Sequence, residues 1–295
     1  SYQRHYLMIS NDKDTGMWQS VYESASKEAE EKDAYVELLS PEQMNGYSQA
    51  DCLKIGIASQ VDGIILEADG SKEEQHLINE ALKEKIPVVT VMTDDTATGR
   101  ISFVGLNSYQ TGSAYTEQIS GMLKAQGTTS VMFLSTSSSK TQETNLVYSQ
   151  VKKELEAQKK TGQSVDLTEY CVDSSADFDT EEFVRDMFVN DENLPDVLVC
   201  MDEVVTECVY QALIDYNQVG NVKVIGFYYS DVILDAIDKE IISSAIALDM
   251  DEIGRYSVNA LDEYLSLGHS NNYYSVNQHV ITKENTKDYR TEDEK

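Results

Sequence analysis

Along this chain, short runs in which nearly every position is apolar alternate with longer segments in which apolar residues return every three or four positions. The short runs are "HYLMIS", "AYVELL", "DGIIL", "PVVTV", "ISFVG", "SVMFL", "VDLTEYCV", "DVLVCM", "VKVIGFYY" and "IISSAIAL". Their length and β-branched content predict strands. Between most of them lie helical patterns. Residues 72–84 place Leu77, Ile78, Ala81 and Leu82 on one face, and residues 203–216 do the same with Val204, Val205, Cys208, Val209, Ala212 and Leu213. Residues 16–32 use Val21, Ala25 and Ala29, with acids and lysines opposite.

Strands that are apolar at successive positions are expected where helices cover both faces of a parallel sheet. The alternation of strand and helix therefore predicts an α/β fold of doubly wound layers. About ten strands exceed a compact sheet of ordinary size, so the pattern divides into two lobes. The division falls near "FVGLNSYQTG", residues 103–112, after which the alternation begins again with "TTSVMFLSTSSS". No long proline- or glycine-rich linker marks it, so short crossing segments are expected between the lobes. The terminal "KENTKDYRTEDEK" is polar and is expected to fray.

Composition narrows the function. The 295 residues carry 52 acids against 23 bases, a formal net charge of −29. Nucleic acid and anionic membrane surfaces are bound by lysine and arginine clusters, so neither is an expected partner. No apolar run approaches the roughly 20 residues of a membrane span. Strand-like sequence begins by His5, which reads as a chain trimmed to its folded part. Cys52, Cys171, Cys200 and Cys208 form no CxxC pair, and buried free thiols are expected. A Cys171–Cys200 bridge requires their strands to be neighbours. Phosphate-loop, dinucleotide, nucleophile-elbow and HExxH signatures are all missing, and His5, His76, His269 and His279 are scattered.

What remains is placement. Ligands of open α/β sheets bind beyond the carboxyl ends of the strands. The first strand leads into "SNDKDTGMW", with Asn11, Asp12, Asp14 and Trp18; "IPVVTVMTDD" ends on Asp94 and Asp95, with nothing basic in the stretch. The fifth strand leads to Asn107. In the second half the exits offer Thr136 to Ser139, Gln142 and Asn145, then Asp202, then Tyr228, Tyr229 and Asp231. Any one of the Asp, Asn or Ser residues suits a helix N-cap. Caps, however, need neither a lone tryptophan nor two tyrosines. Carboxylates, amides and flat rings together suit a neutral polyol, whose hydroxyls they bond and whose apolar face they cover. On this reading the paired acids face an inter-lobe cleft.

The stretches "NDKDTGMWQSVYESASKEAEE", "QVDGIIL", "EALKEKIPVVTVMTDD", "FVGLNSYQTG", "DVLVCMDEVVTECVYQAL" and "VKVIGFYYSDVILDAIDKEIISSAIALDMDEIG" occur in an order that resembles the type I periplasmic binding proteins of the ribose- and galactose-binding kind. The same fold forms the core of LacI-type repressors. The resemblance implies two Rossmann-like lobes joined by a three-segment hinge: residues 1–107 with 249–268, and 108–248 with 269–295. It places Trp18 where the family stacks an aromatic on the sugar, and Asn107 and Asp202 at polar ligand contacts. The chain departs from the family elsewhere. Met92 and Thr93 replace an aspartate–arginine pair, Asn145 replaces an arginine, Tyr228 an aspartate and Leu248 a glutamine. A guanidinium offers a bidentate fork that these residues lack.

The expectation is thus a non-catalytic, extracytoplasmic solute-binding protein, monomeric, without cofactor or metal. It would be associated with the membrane through a removed N-terminal segment. Asp12, Trp18, Asp94, Asp95, Asn107, Thr136, Asn145, Asp202, Tyr228 and Tyr229 would hold a small, sugar-like molecule for an ABC transporter permease or a sensor histidine kinase. The alternatives are the ligand-binding core of a LacI-type regulator, which requires a DNA-binding headpiece, and a hydrolase on a related α/β fold.

Overall fold

A computed structural model of the chain describes residues 2–10, 15–41, 46–173 and 177–291. Its first stretch runs β1 (Arg4–Ile9), α1 (Thr15–Glu31), β2 (Ala34–Leu39), α2 (Gln49–Ala58), β3 (Gly63–Leu66), α3 (Lys72–Lys83), β4 (Val88–Val91) and β5 (Ser102–Leu106). The alternation resumes with α4 (Ser108–Ser120), β6 (Gly127–Thr136), α5 (Gln142–Gln158), β7 (Gln163–Val172), α6 (Asp177–Val189) and β8 (Val197–Cys200). It continues through α7 (Glu203–Asp215), β9 (Lys223–Phe227), α8 (Asp231–Asp238) and β10 (Ser244–Leu248). The chain closes with α9 (Met250–Leu267), β11 (Tyr273–Val276), β12 (Gln278–Ile281) and a 3-10 turn, Thr286–Tyr289.

Two compact units divide these elements: Ser1–Asn107 with Asp249–Asn277, and Ser108–Leu248 with Gln278–Lys295. Each holds a six-stranded sheet. The first has the order β2-β1-β3-β4-β5-β11 and is parallel throughout. The second has the order β7-β6-β8-β9-β10-β12, and only its edge strand β12 is antiparallel. In both, the chain steps outward by one strand and then returns past its starting strand. The strand order therefore reverses between β1 and β3 and again between β6 and β8, and at such points a doubly wound sheet opens to a ligand.

The hydrophobic pattern explains the layers. Central strands β3, β4, β8 and β10 are buried at every position, whereas the edge strands β2 and β7 alternate with solvent along much of their length. In the first unit, Leu7, Ile9, Ile64, Leu66 and Val88 pack against Leu53, Leu77 and Ile78 of α2 and α3. Each such fully buried aliphatic side chain stabilises by about 1.5–3 kcal/mol. The opposite face takes α1 and α9, which pack on each other. Gly254 permits that approach, because a Cβ there would lie 2.4 Å from the Val21 carbonyl oxygen. In the second unit the rings of Tyr115 and Tyr148 flank Phe133 of β6, at 5.9 and 5.3 Å.

Three features differ from the sequence reading. Residues 269–277 belong to the first unit, not the second, because β11 pairs in parallel with β5, Tyr273 opposite Phe103. Strands β11 and β12 escape the pattern because each is four residues long and only its last residue is buried. The Cys171–Cys200 bridge does not form. Strand β6 lies between their strands, Cys171 facing Ser135 and Cys200 facing Leu134, and all four cysteines are free thiols.

Candidate functional site

At the reversal point of the second unit, β6 ends on Thr136 and β8 leads into Asp202. The two are bonded. Thr136 Oγ1 donates to Asp202 Oδ2 at 2.7 Å, and Ser139 Oγ donates to the same oxygen at 2.7 Å. Asp202 Oδ1 accepts the Val205 N–H at 2.9 Å, which makes Asp202 the N-cap of α7. Thr206, one turn on, donates to the Asp202 carbonyl and accepts the Phe227 N–H, tying the β8 exit to β9. Asp202 is 8% exposed. The sequence assigns it to a ligand; in the structure both its oxygens already serve the fold, as orphan helix N–H groups and buried hydroxyls demand.

Beyond β9 the chain turns through Tyr228, a buried residue at φ 77°. Its N–H donates to Ile246 of β10, which holds the turn. The Tyr228 ring lies 4.3 Å from that of Tyr229, which lies 5.3 Å from Tyr289. The first unit repeats the device: beyond β4, Met92 stands at φ 65° with its N–H on Val104 of β5. A left-handed residue other than glycine costs about 1–2 kcal/mol, so both fourth strands end on a strained residue.

The acids after β4 do not match their expected part. Asp94 turns back along the strand to accept the Thr90 hydroxyl at 2.7 Å, and Arg100 grips both its oxygens at 2.9 and 2.8 Å. Burial works to raise the Asp94 carboxyl, but the Arg100 and Thr90 bonds outweigh it and hold the group below its usual range. Asp95 accepts Gln75 Nε2 on one oxygen and the Ala97 N–H on the other. Both carboxylates thus organise the β4–β5 connection. Trp18 is 1% exposed, and its indole Nε1 has no partner among the described residues. It is a buried side chain of α1, not a ring offered at the surface. Asn145 is exposed in the first turn of α5, and Asn107 is half-buried at the end of the first segment. Asp12 lies outside the described residues.

Glu67 and its supports go unnoticed in the sequence reading. Glu67 is the first residue past β3, beside the β1–β3 reversal, and its Oε1 accepts the Thr93 hydroxyl at 3.1 Å. Applied to "DGIILEADG", the strand-end rule finds Glu67 directly. Gln49 and Glu74 carry no such signal, since both lie inside helical patterns. Among the described residues no three histidine, cysteine or acidic side chains gather as a metal site would require.

The periplasmic binding protein domain matches residues 6–270 of the chain. The chain belongs to that family. No curated protein sequence matches it. Among solved structures, this family member is similar to a sugar-binding protein of a sugar ABC transporter from Bacillus halodurans, at 21% identity and TM-score 0.79 over 97% of this chain and 100% of that one. It is also similar to the Caulobacter myo-inositol binding protein bound to myo-inositol, at 15% identity and TM-score 0.79 over 98% and 96%. A third likeness is to the XylFII-LytSN complex, at 21% identity and TM-score 0.77 over 96% and 99%. At these identities the likeness is one of fold: the two-lobed type I architecture.

Proposed function

We propose that the protein captures a neutral polyhydroxylated solute outside the cytoplasm, at the carboxyl ends of the parallel strands, and presents it to a membrane transporter or sensor. The observation that carries this reading is the state of the cations. Among the described residues two lie in the connections concerned, Arg100 between β4 and β5 and Lys140 between β6 and α5; Lys13, after β1, lies outside the described residues. Arg100 and Lys140 are already paired, with Asp94 at 2.8 Å and with Glu169 at 2.5 Å. A free cation would favour an anionic ligand, whereas a polyol needs acceptors, donors and flat rings. Glu67, Thr93, Ser138, Asn107, Tyr228 and Tyr229 are of that kind. The sugar- and inositol-binding relatives support the same ligand class, and the relative solved with LytSN supports a protein partner as reader of the occupied state.

Thermal unfolding against neutral sugars, cyclitols and sugar acids tests the reading. A ligand specific to the folded state stabilises by RT ln(1 + [L]/Kd), about 2.7 kcal/mol at a hundredfold excess. Stabilisation by a neutral sugar or cyclitol is expected. A response confined to uronic acids or phosphorylated sugars would overturn it.

A further inference from the structure

One buried titratable group in the first unit has no part in the reading above. Glu74, in the first turn of α3, is 1% exposed. Its Oε1 accepts Gln49 Nε2 at 2.5 Å, and its Oε2 accepts the Asp69 N–H at 2.7 Å. Gln49 Nε2 also donates to the backbone oxygen of Glu67 at 2.7 Å. Gln49 opens α2, whose first turn is set by the reciprocal Ser48–Asp51 capping box. From the other side, the Ala68 N–H bonds the Thr93 carbonyl while the Thr93 hydroxyl bonds the Glu67 side chain. The start of α2 and the β3 exit therefore meet on the Glu74 carboxyl, and the β4 exit joins them through Ala68 and Glu67.

Packing does not call for an acid here. Glu74 precedes Leu77, Ile78 and Ala81 on the buried face of α3, where an apolar side chain would serve. Burial pushes its carboxyl up to about 8, a sign that the site resists charge. Leu would spare the carboxyl its desolvation but leave the Asp69 N–H and one Gln49 N–H without their acceptor. What the acid adds is a second acceptor oxygen, so that one group holds both Gln49 and the Asp69 amide while Gln49 holds Glu67.

We propose that Glu74 is a positioning residue for ligand capture, fixing Glu67 at the β3 exit through Gln49 and the Asp69 amide. The role rests on the capture reading above, with Glu67 as the residue that meets a ligand hydroxyl. Glu74 itself stays beneath the connection.

The test compares the wild type with Glu74→Leu and Glu74→Gln. Ligand-free protein is examined by amide exchange at Asp69 and by the carbon-13 resonance of the Glu67 carboxyl. Calorimetry with D-galactose, L-arabinose and myo-inositol follows. Glu74→Leu is expected to fold with a modest loss of stability, since the Asp69 N–H loses its acceptor, to exchange the Asp69 amide about tenfold faster and to shift the Glu67 resonance. Affinity for whichever probe the wild type binds should fall about tenfold or more, which 1.4 kcal/mol suffices to produce. Glu74→Gln, which keeps one acceptor oxygen, should fall between, and it replaces Glu74→Leu if that variant does not fold. Unchanged exchange and an unchanged Glu67 resonance would overturn the positioning. A displaced Glu67 with wild-type affinity would overturn its part in capture. If the wild type binds none of the three probes, the capture reading loses its support, and the ligand-free measurements alone decide whether Glu74 positions Glu67.

Discussion

Asp94 and Arg100 form a two-pronged ion pair with side chains only 9% and 7% exposed, and Arg100 extends it to Asn272 Oδ1 at 2.5 Å. The pair fastens the β4–β5 connection to the segment that leads into β11. An acid at the end of a strand has here become part of the scaffold, because an arginine six residues further on returns to meet it.

Arg100→Ala should therefore lower stability by about 3–5 kcal/mol, the range for leaving a nearly buried charge without its partner. Equilibrium denaturation at neutral pH measures it. The acid limb should also flatten. The Asp94 carboxyl is held below its ordinary 3.8, so the stability it contributes is present above that value and disappears as pH falls through the folded-state pKa. Arg100→Ala removes most of that contribution, and stability between pH 5 and roughly pH 2 should then vary less than in the wild type. An unaltered acid limb would place the pair outside the folding equilibrium.

Glu74 acts in the opposite sense. Its carboxyl is raised from 4.5 to about 8, so its contribution is complete below 4.5 and is lost as pH climbs through 8. The titratable group acting on it is Asp69, with Glu67 joined to it through Gln49. The wild type should lose on the order of a few kcal/mol between pH 5 and about pH 9, at 1.36 kcal/mol for each unit of displacement. Glu74→Leu should abolish most of that slope. Denaturation midpoints at the two pH values suffice, and parallel slopes would refute the assignment.

Asp202→Ala should cost about 2–4 kcal/mol in stability, combining a lost N-cap with the buried Thr136 and half-buried Ser139 hydroxyls left without their acceptor. Asp202→Asn keeps a capping oxygen and should cost less. Chemical denaturation separates the two. A loss of affinity with no loss of stability, in calorimetry with a bound polyol, would return Asp202 to the ligand.

Several helices end on a residue other than glycine in the left-handed region, among them Gln60 at φ 54°, Lys85 at φ 62° and Glu240 at φ 60°. All three are exposed. Glycine removes the steric cost there but enlarges the unfolded ensemble, so each Xaa→Gly change should stabilise by about 0.5 kcal/mol net. Thermal unfolding of the triple variant should show the sum, since the sites are separate. A lower midpoint would show that the backbone relaxes at these turns.

Trp18 is the single tryptophan of the chain and is 1% exposed. Its emission should be blue-shifted and resistant to acrylamide in ligand-free protein, and Trp18→Ala should cost about 3–5 kcal/mol as a large core truncation. Ready quenching before any ligand is added would make the ring a surface feature.

Much of the fold can be read along the chain because it is a matter of local period. Leu77, Ile78 and Ala81 recur at helical spacing, and "GIIL" and "VLVC" are apolar at every position, as strands covered on both faces must be. Strand β11 could not be read this way: Tyr273, Tyr274 and Ser275 acquire their pairing from β5, far away in sequence. The site was legible as a set of positions, since a strand's carboxyl end follows from the strand. It was not legible as a set of roles.

Roles depend on which partner arrives from elsewhere. The sequence by itself determined the alternation, the doubly wound class and the carboxyl ends at which polar residues collect, because these rest on interactions a few residues apart. Only the tertiary structure decided that Asp94 belongs to Arg100, that Asp202 is bonded by Thr136 and Ser139, and that Gln49 and Glu74 meet beneath Glu67. A carboxylate forms whichever hydrogen bonds the folded chain brings within about 3 Å, and nothing in the spacing of acids along a sequence says which donors those will be.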